Sequence, residues 1–478
     1  MNKKTAAVTA AAAVPAGLLG AAAVKALITG KKVKYVPKAD AAREEAYARK
    51  LSEMVKYETV SVIGKPDPEK FEGFHKLLAE LFPNVFTKTE VNSIDGSLLI
   101  FWKGRSSDRP LILMGHQDVV AAEGKWEHEP FSGDICDGKI WGRGTADTKC
   151  SLMAFLQAAE ELLTAGYIPA NDVYMCSSCT EEVGGDGGPK TVAELKRRGV
   201  KPWLVCDEGG AIVMEPVGGV KGPFAMIGVL EKGVGNLCFT ARSGGGHASA
   251  PPKKSPIARL AAFINEIENN SPLYDSFEPA VEDMFSQLAP YSPFAYRLLL
   301  GNLKFFKPLL IKVLPKLSNE AGALLHTTIA FTMQSGSEGL NVLPQEAKVY
   351  ANMRFIPHQN MEASIAAVKK VADKYGIETE VIDGNDHNEP ISTQSSQFGL
   401  MERVIGEVFP GLPVIPYVMT GATDARFYEE ICSSCMRFSP VLYGQEQMKG
   451  MHGLNECLDT VSLPGAVDFY KTLIRNNI

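Results

Sequence analysis

Between residues 40 and 230, short apolar runs alternate with amphipathic stretches of helical length: PLILMG, TKCSLMAFLQAAEELLTAG, DVYMCSSC, GPKTVAELKRRG and PWLVCDEGG. A short apolar run suits a strand buried on both faces, and an intervening helix lets the next strand lie parallel to it. The alternation therefore commits this region to an α/β layer, a mostly parallel sheet with flanking helices. The helix after residue 148 is expected to stop at Gly166, where the absence of a Cβ permits a left-handed cap.

Near Glu231 the pattern changes. VGNLCFTARS reads as a strand and SPIARLAAFINEIE as a helix with Ser255 as N-cap and Pro256 in its first position. HTTIAFTMQSG, EAKVYANMRF, MEASIAAVKKVADKYG and IETEVID follow as strand, strand, helix and strand, the split βαβ order of an α+β unit. A stretch at about 272–325, rich in Leu, Phe, Pro and Lys, interrupts that unit and is expected to be helical. From about 385 the α/β pattern resumes. The expected organisation is a larger domain from 41–230 and 385–478, with a smaller lid domain, 231–384, inserted into it. A chain of 478 residues, 45% of them apolar, can fill both cores.

A net charge of −6 offers no basic excess, which argues against nucleic acid as a partner. The nine cysteines lie mainly in apolar runs, and the two CSSC segments read as core residues rather than a zinc or redox pair. Residues 1–40 stand apart. After MNKK comes TAAVTAAAAVPAGLLGAAAV, a run without charge, then Lys25, Lys31 and Lys32. We expect an export or membrane-anchoring segment outside the fold, with basic residues on both flanks leaving its orientation open.

The apolar strand-like runs end in a particular chemistry. LILMGHQDVV stops at His116 and Asp118, and the clusters GRGTADTK with Asp147, TEEVGG with Glu181 and Glu182, CDEGG with Asp207 and Glu208, and MHGLNE with His452 follow. Sites of parallel α/β sheets form at the carboxyl ends of the strands, where all of these lie. One such residue is ordinarily a solvated loop group. Two histidines with several carboxylates, flanked by glycines that let the chain turn, form a nitrogen and oxygen donor set suited to zinc, cobalt or manganese.

GHQDVV, WGRGTADTK, TEEVGG, CDEGG, GGGHASAPP and MHGLNE, in this order over nearly all of residues 45–478, resemble the co-catalytic zinc amidohydrolase family of carboxypeptidase S, aminoacylase, carboxypeptidase G and succinyl-diaminopimelate desuccinylase. The GHASAPP spelling and the insertion look most like the branch that includes carboxypeptidase S and the N-fatty-acyl amino acid hydrolases. The resemblance implies two zinc ions: His116 and Asp207 on one, Glu182 and His452 on the other, Asp147 between them. It implies that Glu181 is the general base and that Asp118 accepts a hydrogen bond from the second nitrogen of His116 and aims its ring. His247, Asn341 and Arg354 would hold a substrate carboxylate and stabilise the oxyanion, with Thr423 and Asp424 on a substrate-facing loop.

The expected function is hydrolysis of an amide beside a free carboxylate, of carboxypeptidase or dipeptidase type. The alternative is the same chemistry on N-acyl amino acids, with the insertion supplying an apolar acyl site. A non-catalytic binding protein on the same scaffold is disfavoured because no ligand and no base is missing. Partners would be small peptides or N-acyl amino acids. In family members without the insertion the small domain pairs two subunits, an arrangement that the bulky insertion puts in question here.

Overall fold

The computed structural model describes residues 16–478 and contains two main sheets. The larger runs in the order Glu90–Ile94, Ser97–Trp102, Asn171–Ser177, Ser106–Met114, Leu204–Asp207, Cys435–Arg437, Phe224–Glu231, Ala211–Val213 and Leu442–Tyr443, with Val414–Met419 also paired to Phe224–Glu231. Its middle is parallel: Ser106–Met114 lies between Asn171–Ser177 and Leu204–Asp207, and Cys435–Arg437 continues the set. Antiparallel pairs form the edge at Glu90–Ile94.

The near-continuous apolar spelling of these strands follows from cover on both faces. Leu111, Leu113, Val173, Met175 and Leu204 pack into one core, while the alternating Ile112, Met114, Tyr174, Cys176 and Val205 pack into another on the opposite face. Cys432 and Cys435 join the second core as small buried side chains. The helix Lys149–Thr164 is buried along almost its whole length and gives way to Gly166 at φ 70°, as its sequence requires.

The second sheet has the order Thr328–Ser335, Glu346–Phe355, Gly233–Arg242, Glu378–Asn385, antiparallel throughout. Helices Pro256–Asn269 and Met361–Lys374 pack on one side of it, where Leu237, Phe239, Phe263, Val349 and Val371 form a separate small core. Residues along Glu346–Phe355 alternate between buried and half-buried, as a sheet covered on one face demands. The chain crosses between the sheets at 231–233 and again near 385–388.

Two expectations need correction. The insertion is helical, with Pro279–Leu288, Phe294–Leu300, Leu303–Leu317 and Asn319–Ala323, but its helices pack on the larger domain, and it is its leading residues, such as Leu273 and Tyr274, that join the lid. Val281, Phe285, Leu288, Phe306 and Leu325 belong to the core of the larger domain. An amphipathic helix must bury one face, and here the available apolar surface is that of the larger domain, near Val414–Met419. The N-terminal segment is likewise not wholly outside the fold. Residues 1–15, which include most of the uncharged run, lie outside the described residues, but Ala16–Ile28 forms a helix whose Ala22 and Ala26 are buried against the insertion. Among the described residues no helix is long and apolar enough to cross a membrane.

Candidate metal and active site

Ser106–Met114 ends just before His116, and the ring of His116 is fixed from both sides. Its Nδ1 lies 2.8 Å from the main-chain carbonyl of Asp118, which can only accept, so Nδ1 carries the proton and Nε2 points to Asp147 Oδ1 at 3.0 Å. The Asp118 carboxylate stands off at 3.6 Å. Here the structure departs from the expectation that the carboxylate holds the ring. That carboxylate accepts instead from the main-chain N–H groups of Glu181 (3.2 Å) and Glu182 (3.1 Å) and from Ser61 Oγ (2.7 Å). Asp118 therefore aims His116 with its backbone and the TEE turn with its side chain.

That turn follows the strand Asn171–Ser177. A straight strand would send Glu181 and Glu182 to opposite faces. The chain instead folds back through bonds from Gly184 N–H to the Glu181 carbonyl (2.9 Å) and from Gly185 N–H to the Thr180 carbonyl (2.8 Å), with Gly184 at φ 59°. Both carboxylates thereby line one cavity of about 910 Å³ with Asp147, Glu208 and His452. His452 Nε2 lies 3.1 Å from Asp147 Oδ2 and 3.0 Å from Glu182 Oε2. Its main chain is in the left-handed region at φ 53°, uncommon for a residue with a Cβ.

Donor atoms of His116, Asp147 and Glu182 lie within 4.8 Å of one another. Asp147 spans the two histidines, one oxygen toward each, the arrangement a bridging carboxylate needs. Glu182 Oε1 is buried without a hydrogen-bond partner, a vacant lone pair that a cation would satisfy. The residues present thus fit divalent metal.

The charge balance says the same. Burial disfavours a charged His116 ring, but the neighbouring Asp147, Glu181 and Glu182 hold its proton well above the ordinary histidine range. His452 is raised to about 10 by its bonds to Asp147 and Glu182. Burial and the surrounding carboxylates push Glu181 well above the ordinary glutamate range, and burial together with Asp207 and Asp147 does the same to Glu208. A cluster this acidic needs added positive charge.

Glu208, not the expected Asp207, faces the cavity. Asp207 ends its strand with one oxygen accepting from Glu208 N–H (2.8 Å) and the other from Ala425 N–H (2.9 Å), and it does not line the cavity; Glu208 does. Glu456, the last residue of MHGLNE, carries a role that its sequence position alone does not signal. Its buried carboxylate accepts from the N–H groups of Gly144 (3.1 Å), Ala146 (2.8 Å) and Asp147 (3.0 Å) and pairs with Arg143 (2.7 Å). It latches the loop bearing Asp147 to the loop bearing His452.

Of the expected substrate residues, Arg354 lines the cavity, with Nε on Asn352 (3.0 Å) and one terminal nitrogen buried without a partner. Arg426, not singled out from sequence, lines the same cavity. Thr423 does not: its hydroxyl donates to Glu231 at 2.9 Å, and Gly421 and Ala422 face the cavity in its place. His247 and Asn341 sit outside the cavity. Both are exposed, His247 in the ribbon of Gly246–His247 with Val342–Leu343 and Asn341 just before its second strand.

The model of peptidase family M20/M25/M40 matches residues 112–476. The chain is 32% identical over 441 residues to a probable carboxypeptidase S-like protein of Dictyostelium discoideum, covering 90% of this chain and 84% of that one. It is 34% identical over 412 residues to the N-fatty-acyl-amino acid synthase/hydrolase PM20D1 of Xenopus tropicalis, covering 84% and 80%. Among solved structures, the M20 family metallo-carboxypeptidase Sso-CP2 from Sulfolobus solfataricus has the same fold, with a TM-score of 0.67 at 18% identity over 90% of this chain and 99% of that chain.

Proposed function

Since this chain belongs to peptidase family M20/M25/M40 and is a metal-dependent hydrolase, we propose that it cleaves an amide bond beside a free carboxylate. The observation that carries this reading is a juxtaposition in one cavity. The acidic cluster, with the vacant oxygen of Glu182, shares its walls with Arg354, one terminal nitrogen of whose guanidinium is buried without a partner. A free carboxylate would satisfy that nitrogen and set the adjoining amide toward the cluster.

His116 and Glu208 would hold one zinc ion, Glu182 and His452 the other, and Asp147 both; cobalt or manganese suits the same donors. When bound, such ions lower the pKa of water and polarise a carbonyl. Glu181, beside a ligand but not counted as one, takes the proton of the attacking water and returns it to the leaving nitrogen. Its burial favours holding that proton between the two transfers. Asp118 keeps base and ligand in register through their N–H groups.

N-acyl amino acids are the second reading. Val213, Pro216, Met226, Met419, Met448 and Met451 form an apolar wall of the cavity, and unbranched methionines adapt to a flexible chain. No residue of the insertion lines it, so an acyl site would come from the larger domain rather than from 272–325.

The test compares an N-blocked dipeptide, its C-terminal amide and an N-fatty-acyl amino acid, with metal content measured in parallel. The acid should be cut far better than the amide, and Arg354→Ala should erase the difference without rescue by Arg354→Lys. Equal cleavage of acid and amide by the unaltered protein would overturn the carboxylate reading. The ratio of acyl to dipeptide turnover separates the two substrates.

A further inference from the structure

We propose that the N-terminal helix and the helical insertion together form a surface that docks on an anionic phospholipid bilayer. The two segments are far apart in sequence but packed together. Ala22 and Ala26 face the insertion, Arg297 donates to the Ala26 carbonyl at 3.0 Å, Lys25 Nζ to the Gly301 carbonyl at 2.6 Å, and Lys31 N–H to the Pro290 carbonyl at 2.8 Å.

What they leave outward is apolar. Leu27 and Ile28 are 67% and 78% exposed, and Val24, Phe294 and Phe305 are exposed on the same pair of segments. Single exposed apolar side chains are ordinary, but this many on adjoining helices mark a face that meets something other than water.

The charge says what. Residues 16–39 and 294–317 carry ten basic residues and no carboxylate, in a chain whose net charge is −6. Lys304, Lys312 and Lys316 are exposed and recur at multiples of four or eight along Leu303–Leu317, beside exposed Phe305. Lys31 and Lys32 are exposed just beyond the N-terminal helix. Lys307 alone of the ten pairs with a carboxylate among the described residues, that of Glu282 on the helix beneath. Aromatic and aliphatic groups interleaved with unpaired lysines match a bilayer surface: the apolar groups enter the acyl boundary while the ammonium groups remain among anionic headgroups.

The same surface adjoins the cavity. Val213 and Pro216 line the cavity, and the loop running on from them packs on the docking segments, with Gly219 against Tyr296 and Gly222 against Val33. A bilayer-docked enzyme would present its apolar wall close to the source of an amphiphilic substrate. The docking itself does not depend on that.

The experiment is co-sedimentation of the full chain with vesicles of phosphatidylcholine alone and of phosphatidylcholine with phosphatidylserine. We expect preferential binding to the anionic vesicles that weakens with added salt. Lys304→Ala with Lys312→Ala should reduce it roughly twenty-five-fold, about fivefold per lysine. Leu27→Ser with Phe305→Ser should reduce it on a separate, salt-insensitive basis. Hydrolytic turnover of a soluble substrate should stay unchanged in these variants, reporting an intact fold. Equal binding to both vesicles that the lysine changes leave untouched would place attachment elsewhere and overturn the proposal. Absence of binding would overturn it too, as would loss of self-association in the variants, which would mean that a second copy covers this face.

Discussion

Two buried acidic clusters lie side by side in this protein and are built on opposite terms. At the crossing between the sheets, Glu231 accepts from Thr423 and from Arg437 Nε (3.0 Å), and Arg437 in turn holds Glu429 at 2.8 Å, with its guanidinium fully buried. At the strand ends, Asp147, Glu181, Glu182 and Glu208 share a cavity with His452, and His116 lies against Asp147; among the described residues none of these carboxylates has a lysine or arginine in hydrogen-bond contact, and Glu182 keeps an unpartnered oxygen. The first cluster is satisfied by the chain itself; the second is completed only from outside. Buried charge that finds its partner within the fold is architecture, while buried charge left over is a site.

The largest effect should come from breaking the second cluster's chemistry without touching its charge capacity for metal. Glu181→Gln should lower turnover by about 10²–10⁴-fold, the usual worth of a general base, with metal content unchanged. Near-normal turnover would remove Glu181 from the mechanism. Next come two stability changes of opposite sign. Arg437→Met leaves the buried Glu231 without its only charged partner among the described residues and the half-buried Glu429 without its own, and should cost about 3 kcal/mol in a denaturant titration. Glu208→Gln in metal-stripped protein relieves like-charge crowding and should stabilise it by about 1 kcal/mol, while lowering metal occupancy. If both changes destabilised the stripped protein equally, the distinction between the clusters would fail.

How far the sequence foretold these clusters follows from the range of the forces involved. The alternation of apolar and amphipathic stretches is local, so the parallel sheet and the split βαβ unit are legible, as are the loop residues His116, Asp147, Glu181, Glu182 and His452 that the structure brings together. The choice between Asp207 and Glu208 is not, because neighbouring residues at a strand end face opposite ways and the strand stops at Asp207 itself. Thr423 was misplaced because its partner, Glu231, is 192 residues away and leaves no local signature. The insertion's periodicity says that it buries a face, but not against which domain. His247 and Asn341 depend on where the small sheet stands relative to the large one, which no motif encodes.

A smaller effect tests the join between recognition and scaffold. Asp118 belongs to the site by position and to the architecture by bonding, since among the described residues its carboxylate accepts hydrogen bonds from Ser61 and two backbone N–H groups while His116 stands off at 3.6 Å. Asp118→Asn keeps the size and removes an acceptor, and should cost about 10–100-fold in metal affinity or turnover. Loss of metal affinity at unchanged thermal midpoint would put Asp118 with the site. A drop in midpoint with metal affinity preserved would put it with the scaffold.

The finest test uses the fact that each region buries one lysine. Lys149 Nζ donates to the carbonyls of Met54 (2.9 Å) and Tyr57 (2.8 Å), Lys232 Nζ to those of Ala323 (2.9 Å) and His326 (2.7 Å), and burial lowers both to about 7. A lysine in the unfolded chain titrates near 10.4, so between about pH 7 and 10 the unfolded chain binds a proton that the folded one has lost. Stability must then rise with pH across that window, by up to about 1.4 kcal/mol per unit for each lysine, and the slope vanishes below about 7 where both forms are protonated. Lys232→Met should remove one such slope from the difference curve against the unaltered protein, and Lys149→Met a second. The two should add, because the lysines serve separate regions with no shared partner. A combined slope well short of the sum would mean that site and crossing titrate as one unit, and that the boundary drawn between them is in the wrong place.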